Sequence, residues 1–217
     1  MLRELMATLK AVGKSTELHQ TDDGTRILVL PYGGRILGVY APGSEENFLW
    51  TNSVLNSAET ARAYYASDDW QNSGGDRTWL APEVDFFFPK YPDIDIAGYW
   101  QPRSLDPGNY ELTKTGRGVK LTNRLKIDAF RSRKRVELEI TKSVAAPPNP
   151  LRYDGYDANR GSGICRAHST DFIENPRSKP RWRSPGWPVE SHTDAASRRT
   201  IYSDLFQNRA QDLLWPG

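Results

Sequence analysis

The sequence predicts a mainly β fold of antiparallel strands, introduced by a short N-terminal helix. Three observations carry this. Apolar residues at helical spacing run together only over the first dozen positions, as Leu2, Leu5, Met6, Leu9 and Val12. Beyond them, glycine-centred turn signals divide the chain into short apolar runs. Further on, Val136, Leu138 and Ile140 alternate with Glu137 and Glu139, the two-residue period of a strand with one wet face.

In chain order, the spacing gives a helix over residues 2–12 that stops at Gly13. Asp22-Asp23-Gly24 is a turn between strands at Glu17–Thr21 and Arg26–Pro31. Tyr32-Gly33-Gly34 breaks the chain before a strand over Arg35–Ala41, and a further strand is expected at Asn47–Thr51, where Asn47-Phe48-Leu49-Trp50 would close a core layer. Ser57–Tyr65 has room for one or two helical turns. Tyr110–Thr115 and Val119–Lys126 flank Gly116-Arg117-Gly118 as a hairpin, and Leu121–Phe130 pairs with the alternating strand through the charged turn Arg131–Lys134.

Composition narrows the function classes. A net charge of +2 over 217 residues gives no strong field for nucleic acid or an anionic membrane. The single cysteine, Cys165, leaves no disulfide framework or multi-cysteine zinc site. His19, His168 and His192 are scattered, so no metal site and no cofactor are expected. No apolar run reaches the ~18 residues of a membrane span, and the expectation is a soluble, cytoplasmic protein. Gly13-Lys14-Ser15-Thr16 looks like the end of a phosphate loop, but Thr8 stands where that motif needs a glycine.

The texture changes near Pro147. Between Arg152 and Thr200 the aliphatic residues are Ile164, Ile173 and Val189, too few for alternating strand faces. Two units are therefore expected: residues 1–150 as a β domain and 151–217 as an irregular or disordered tail. From Leu151 on, ten Lys and Arg stand against eight Asp and Glu, which keeps open an RNA-associated tail. A third reading is translation out of frame. Ser162–Glu174 can be back-translated so that the next frame downstream reads Leu-Ala-Tyr-Ala-Gly-His-Thr-Arg-Leu-Thr-Leu-Leu, with the strand-like content that the tail lacks.

The densest chemistry lies in Gly74-Gly75-Asp76-Arg77-Thr78-Trp79-Leu80-Ala81-Pro82-Glu83. Paired glycines let backbone approach a ligand or turn tightly. Asp76 and Arg77 can accept from and donate to vicinal hydroxyls, Trp79 offers an apolar face to a pyranose, and Glu83 is a second carboxylate for acid/base work. The competing role is structural, with Asp76 and Arg77 as a turn ion pair and Trp79 in the core. Tyr64, Tyr65, Asp68, Asp69, Trp70 and Asn72 add polar aromatic character upstream. Asp76, Arg77, Trp79 and Glu83 are thus the expected substrate-binding residues, with no catalytic residue assigned.

Tyr32-Gly-Gly-Arg-Ile-Leu, Asn47-Phe-Leu-Trp, the Gly74–Glu83 run and Pro148-Asn-Pro-Leu resemble an uncharacterised bacterial family of the galactose mutarotase-like, or aldose 1-epimerase-like, superfamily. The resemblance covers roughly residues 15–151. It implies a partial antiparallel β-supersandwich and a sugar or sugar derivative as partner. It also implies that the chain lacks the strands completing the groove. The histidine pair that precedes the two glycines in true epimerases is replaced here by Asn72 and Ser73, so epimerase chemistry is not implied. The expected function is carbohydrate binding, with acid/base chemistry on a sugar in a full-length parent. The alternatives are a non-catalytic carbohydrate-binding module and an RNA-associated protein.

Overall fold

The computed structural model describes residues 1–116 and 118–145 in full and the backbone of 168–174 and 199–203. Arg117, Cys165, His192 and most of the expected tail lie outside the described residues, as does Pro148-Asn-Pro-Leu.

The first helix, α1 (Leu2–Ala11), forms where the apolar period sits and buries Leu2 and Leu9. It closes at Gly13, whose N–H donates to Lys10 O at 3.1 Å while Lys14 N donates to Leu9 O at 2.8 Å. That bond pair satisfies carbonyls that a helix end otherwise leaves open.

Strands β1 (Glu17–Gln20), β2 (Arg26–Leu30) and β3 (Arg35–Tyr40) form an antiparallel sheet in that order. In the turn between β1 and β2, Gly24 N donates to Thr21 O at 2.9 Å and the Asp23 carboxylate accepts from Thr25 N at 3.1 Å. β2 and β3 are nearly continuous apolar runs because both faces are covered. On one face Leu28, Leu30 and Leu37 pack with Leu2 and Leu9 of α1 and with Ala61. Ala61 belongs to α2 (Ala58–Ala66), whose first turn is capped by Ser57 Oγ accepting from Thr60 N at 3.2 Å. The opposite face of the sheet, Ile27, Val29 and Ile36, meets the second sheet.

That second sheet runs β4-β5-β6-β7-β8, every neighbouring pair antiparallel. Its strands are β4 (Glu111–Thr115), β5 (Gly118–Ala129), β6 (Lys134–Ala145), β7 (His168–Glu174) and β8 (Arg199–Ser203). Val119, Leu121, Leu125 and Ile127 of β5 and Ile140 and Val144 of β6 share one core cluster with Ile27, Val29 and Ile36. On the other face of β5, Lys120, Arg124, Lys126 and Asp128 are exposed. The expected alternation is present, over longer strands than the apolar residues alone mark out.

Two expectations are corrected. Asn47–Thr51 is not a strand. The Asn47 side chain instead accepts from Val39 N and Leu49 N at 3.0 and 3.1 Å and donates to Leu37 O at 3.2 Å, substituting for a ladder along β3. Of the Asn47–Trp50 segment, Leu49 packs against the core, whereas Phe48 and Trp50 are 48% and 62% exposed and do not close a layer. β7 and β8 fall inside the expected irregular tail. β7 pairs with β6 and β8 with β7, and such backbone pairing requires no apolar alternation. Between β3 and β4 the chain adds α3 (Glu83–Phe86) and two short 3-10 turns, Ser53–Asn56 and Ile96–Gly98. No helix among the described residues is long and apolar enough to cross a membrane.

Candidate functional site

The paired glycines make a turn that brings backbone against backbone. Gly74 and Gly75 have φ of 98° and 72°, a region that side chains strain to adopt. A Cβ on Gly74 would lie 2.3 Å from Trp50 O, and one on Gly75 would lie 2.1 Å from Ile36 O. The glycines therefore let the chain lie on β3 and on Thr51. Gly75 N donates to Trp50 O at 2.8 Å, and Asp76 N to Ile36 O at 3.1 Å.

This turn delivers Asp76 into the space between the sheets. Its carboxylate accepts from Ile36 N at 2.5 Å and from Lys142 Nζ at 2.9 Å. Lys142 is fully buried, lies on the inward face of β6 between Ile140 and Val144, and also donates to Gly34 O at 3.0 Å. Beside it, the buried Arg35 guanidinium donates to Asn72 Oδ1 at 3.1 Å, Gly74 O at 3.0 Å and Asp106 Oδ1 at 3.1 Å. Asp106 accepts from Arg77 through its other oxygen. Burial pulls the Arg35 pKa down, and the Asp106 carboxylate pushes it back up. Asp76 and Arg77 are thus not paired with each other. Each is bonded to a residue distant in sequence, and together the bonds join β3, the glycine turn, β6 and the Asp106 loop.

Arg77 leads from this seam to the surface. Its guanidinium carbon lies 4.4 Å from the Trp79 ring centroid and 5.1 Å from that of Trp70, within cation–π range of both indoles. Trp79 packs on Phe87 at 4.7 Å between centroids, and its indole N–H donates to Glu83 Oε1 at 2.7 Å. Trp79 is therefore partly core, and Glu83, exposed on α3, orients it. Trp70 remains 56% exposed.

A groove of about 510 Å³ opens beside this stack. Trp70, Tyr99, Trp100, Gln101, Arg103 and Asp106 line it, with Asp68, Asp69 and Gln71 along one side. Trp100 is 47% exposed. Of the expected cluster, Arg77 reaches toward this lining, with Nη2 3.5 Å from Gln101 Oε1. None of Asp76, Arg77, Trp79 and Glu83 is among the lining residues. The upstream residues divide. Asp68, Asp69 and Trp70 face the groove, while Asn72 accepts from Arg35 and the Tyr65 hydroxyl bonds to Ser73 Oγ at 2.9 Å. Burial pushes the Tyr64 hydroxyl up to about 12 and raises Tyr32, Tyr65 and Tyr99 as well, so all four stay protonated near neutrality.

Sequence reasoning missed Arg35, Lys142, Asp106 and the 99–103 wall. For Lys142 a signal existed: it continues the inward series Leu138, Ile140, Val144, where a charge is out of place. Asn123, inward between Leu121 and Leu125, carries the same signal and donates to Ser104 O at 2.9 Å. No comparable pattern marks Asp106 or Gln101. Among the described residues no group of histidine, cysteine or carboxylate side chains could hold a metal ion. Comparison of the chain with protein-family models, with curated proteins and with solved structures finds no match in any of the three.

Proposed function

We propose that the protein binds a carbohydrate, and that the groove beside Trp70 and Trp100 receives it. The observation that supports this reading is the groove's lining: two half-exposed indoles beside amide, carboxylate and guanidinium groups. Aromatic faces take the C–H side of a sugar ring, and fixed polar groups take its hydroxyls. The family resemblance points the same way, toward two packed sheets as part of a mutarotase-like supersandwich.

Binding is a better reading than acid/base catalysis. Asp106 has one oxygen on Arg35 and the other on Arg77, and Asp76 is held by Lys142 and Ile36 N–H. Both carboxylates are engaged in ion pairs that join segments distant in sequence. Glu83 accepts from the Trp79 indole N–H and lies outside the groove lining.

Calorimetric titration against a panel of aldoses and their derivatives tests the reading. Trp70→Ala is expected to abolish binding while leaving the melting temperature within a few degrees, because the side chain is mostly in water. Saturable binding that survives Trp70→Ala and Trp100→Ala would place the ligand elsewhere. No binding of any sugar would end the carbohydrate reading.

A further inference from the structure

The groove holds two aromatic platforms that are backed from different parts of the fold. Trp70 ends a chain of contacts that runs from the buried Phe87 through Trp79 and the Arg77 guanidinium. Trp100 is held elsewhere. Its backbone N–H donates to Phe87 O at 2.9 Å, and its ring meets that of Phe130, just past β5, edge to face with 6.1 Å between centroids. Among the described residues the two indoles make no ring contact with each other. Both are half exposed, so each offers an open face to the groove that the other does not cover.

The stretches that carry the platforms are tied to each other. Arg103 Nη1 donates to Asp68 O at 3.0 Å, and Gln71 Oε1 accepts from the Tyr32 hydroxyl at 2.6 Å. Platforms fixed in advance need little ordering when a ligand arrives. The exposed Asp68 and Asp69 carboxylates and the Gln101 amide offer acceptors and donors to hydroxyl groups, whereas Asp106 is taken up by two arginines. The volume of about 510 Å³ falls within the ~300–1,000 Å³ of sites that take drug-sized ligands, more room than one pyranose ring fills.

We infer that the groove takes an oligosaccharide, with one pyranose ring on Trp70 and a second, linked ring on Trp100. The inference rests on the carbohydrate reading above and narrows it to chains of two or more units. A second ring joined to the first reaches its indole in an intramolecular step, so the two contacts reinforce each other. A monosaccharide covers one indole at a time.

The test compares glucose, galactose and mannose with their disaccharides and trisaccharides, by calorimetry on the full chain. At least one disaccharide is expected to bind about tenfold or more tightly than its monosaccharide. Trp100→Ala should remove that gain and leave the affinity for the monosaccharide nearly unchanged, whereas Trp70→Ala should weaken both. Equal affinity for one, two and three units, or a gain that survives Trp100→Ala, overturns the inference and leaves sugar binding intact. No binding of any of these sugars overturns both readings. If Trp100→Ala lowers the melting temperature, Trp100→Phe decides. It keeps a ring against Phe130 and should retain part of the gain, whereas a gain lost in step with stability would assign Trp100 a structural role and overturn the inference.

Discussion

Two sets of charged residues lie on opposite faces of β6. On the outer face Arg124, Lys126 and Asp128 of β5 stand directly opposite Glu139, Glu137 and Arg135 of β6, forming a ladder of cross-strand ion pairs at 2.6, 3.0 and 3.8 Å. On the inner face Lys142 is fully buried against Asp76, with the Arg35–Asp106–Arg77 group alongside. The chemistry is the same and the surroundings differ. Water screens the ladder, so each pair contributes little. In the seam Lys142, Arg35 and Asp106 are buried, and removing one partner costs more than it does on the ladder. The seam therefore fixes how the sheets and the glycine turn fit together, while the ladder helps to keep one face wet.

The comparison is tested most sharply by Asp76→Ala, which removes the carboxylate that meets both Lys142 Nζ and Ile36 N–H. A loss of about 3–5 kcal/mol is expected, measured by urea denaturation. The double variant Asp76→Leu with Lys142→Met should recover much of that loss, because two apolar side chains need no partner. A single variant costing under about 1 kcal/mol would show that the seam is solvated like the ladder. Gly75→Ala attacks the turn that delivers Asp76. A side chain there meets Ile36 O at 2.1 Å in a backbone region it disfavours. The expected loss is about 2–4 kcal/mol, read from thermal unfolding, with Gly43→Ala at an open turn as the control.

Alkaline pH gives a third test, on the Tyr32, Tyr64 and Tyr65 side. Burial raises these hydroxyls above the usual value of 10.0, Tyr64 to about 12. A phenol whose folded pKa is raised contributes stability that is full below the unfolded pKa and lost as pH climbs through the folded one. The melting temperature should therefore hold up to about pH 10 and fall between about pH 10 and 12. Lys14, whose pKa is lowered, contributes with the opposite sign and softens the fall. A Tyr64→Phe variant should show a shallower decline. The smallest effect belongs to the ladder. Arg124→Ala should cost little at low salt and less still at 1 M salt, whereas the cost of Asp76→Ala should change little with salt. Equal salt sensitivity for the two would erase the distinction.

The ladder was legible in the sequence and the seam was not, for a physical reason. Val136, Leu138 and Ile140 alternate with Glu137 and Glu139, and that local period reports directly on which face is wet. The same logic reads α1, the Asp22–Gly24 turn and the β2 and β3 runs. Asp76 and Arg77 were legible as special but not in their partners, since a sequence motif does not say that Asp76 meets Lys142 or that Arg77 meets Asp106. The Asn47–Thr51 segment has strand composition, yet the Asn47 amide takes over the bonds that a strand would make. The groove draws residues 68–71 and 99–107 together from two irregular stretches, and no periodicity announces that meeting. β7 and β8 were hidden because the pairing of β7 to β6 and of β8 to β7 is a backbone matter.

The long reach of the Lys142 bonds also orders events during synthesis. Asp76 precedes Lys142 by 66 residues, and Gly34 precedes it by 108. At about 5–20 residues per second, the ribosome delivers Lys142 roughly 3–13 s after Asp76. Throughout that interval the acidic turn has no ammonium to receive it. The three-stranded sheet and its helices can form early from short-range contacts, but the interface between the sheets has to wait for β6. A nascent chain halted before residue 142 would expose the Ile27, Val29 and Ile36 face to whatever apolar surface it met, and a chaperone would find its client there.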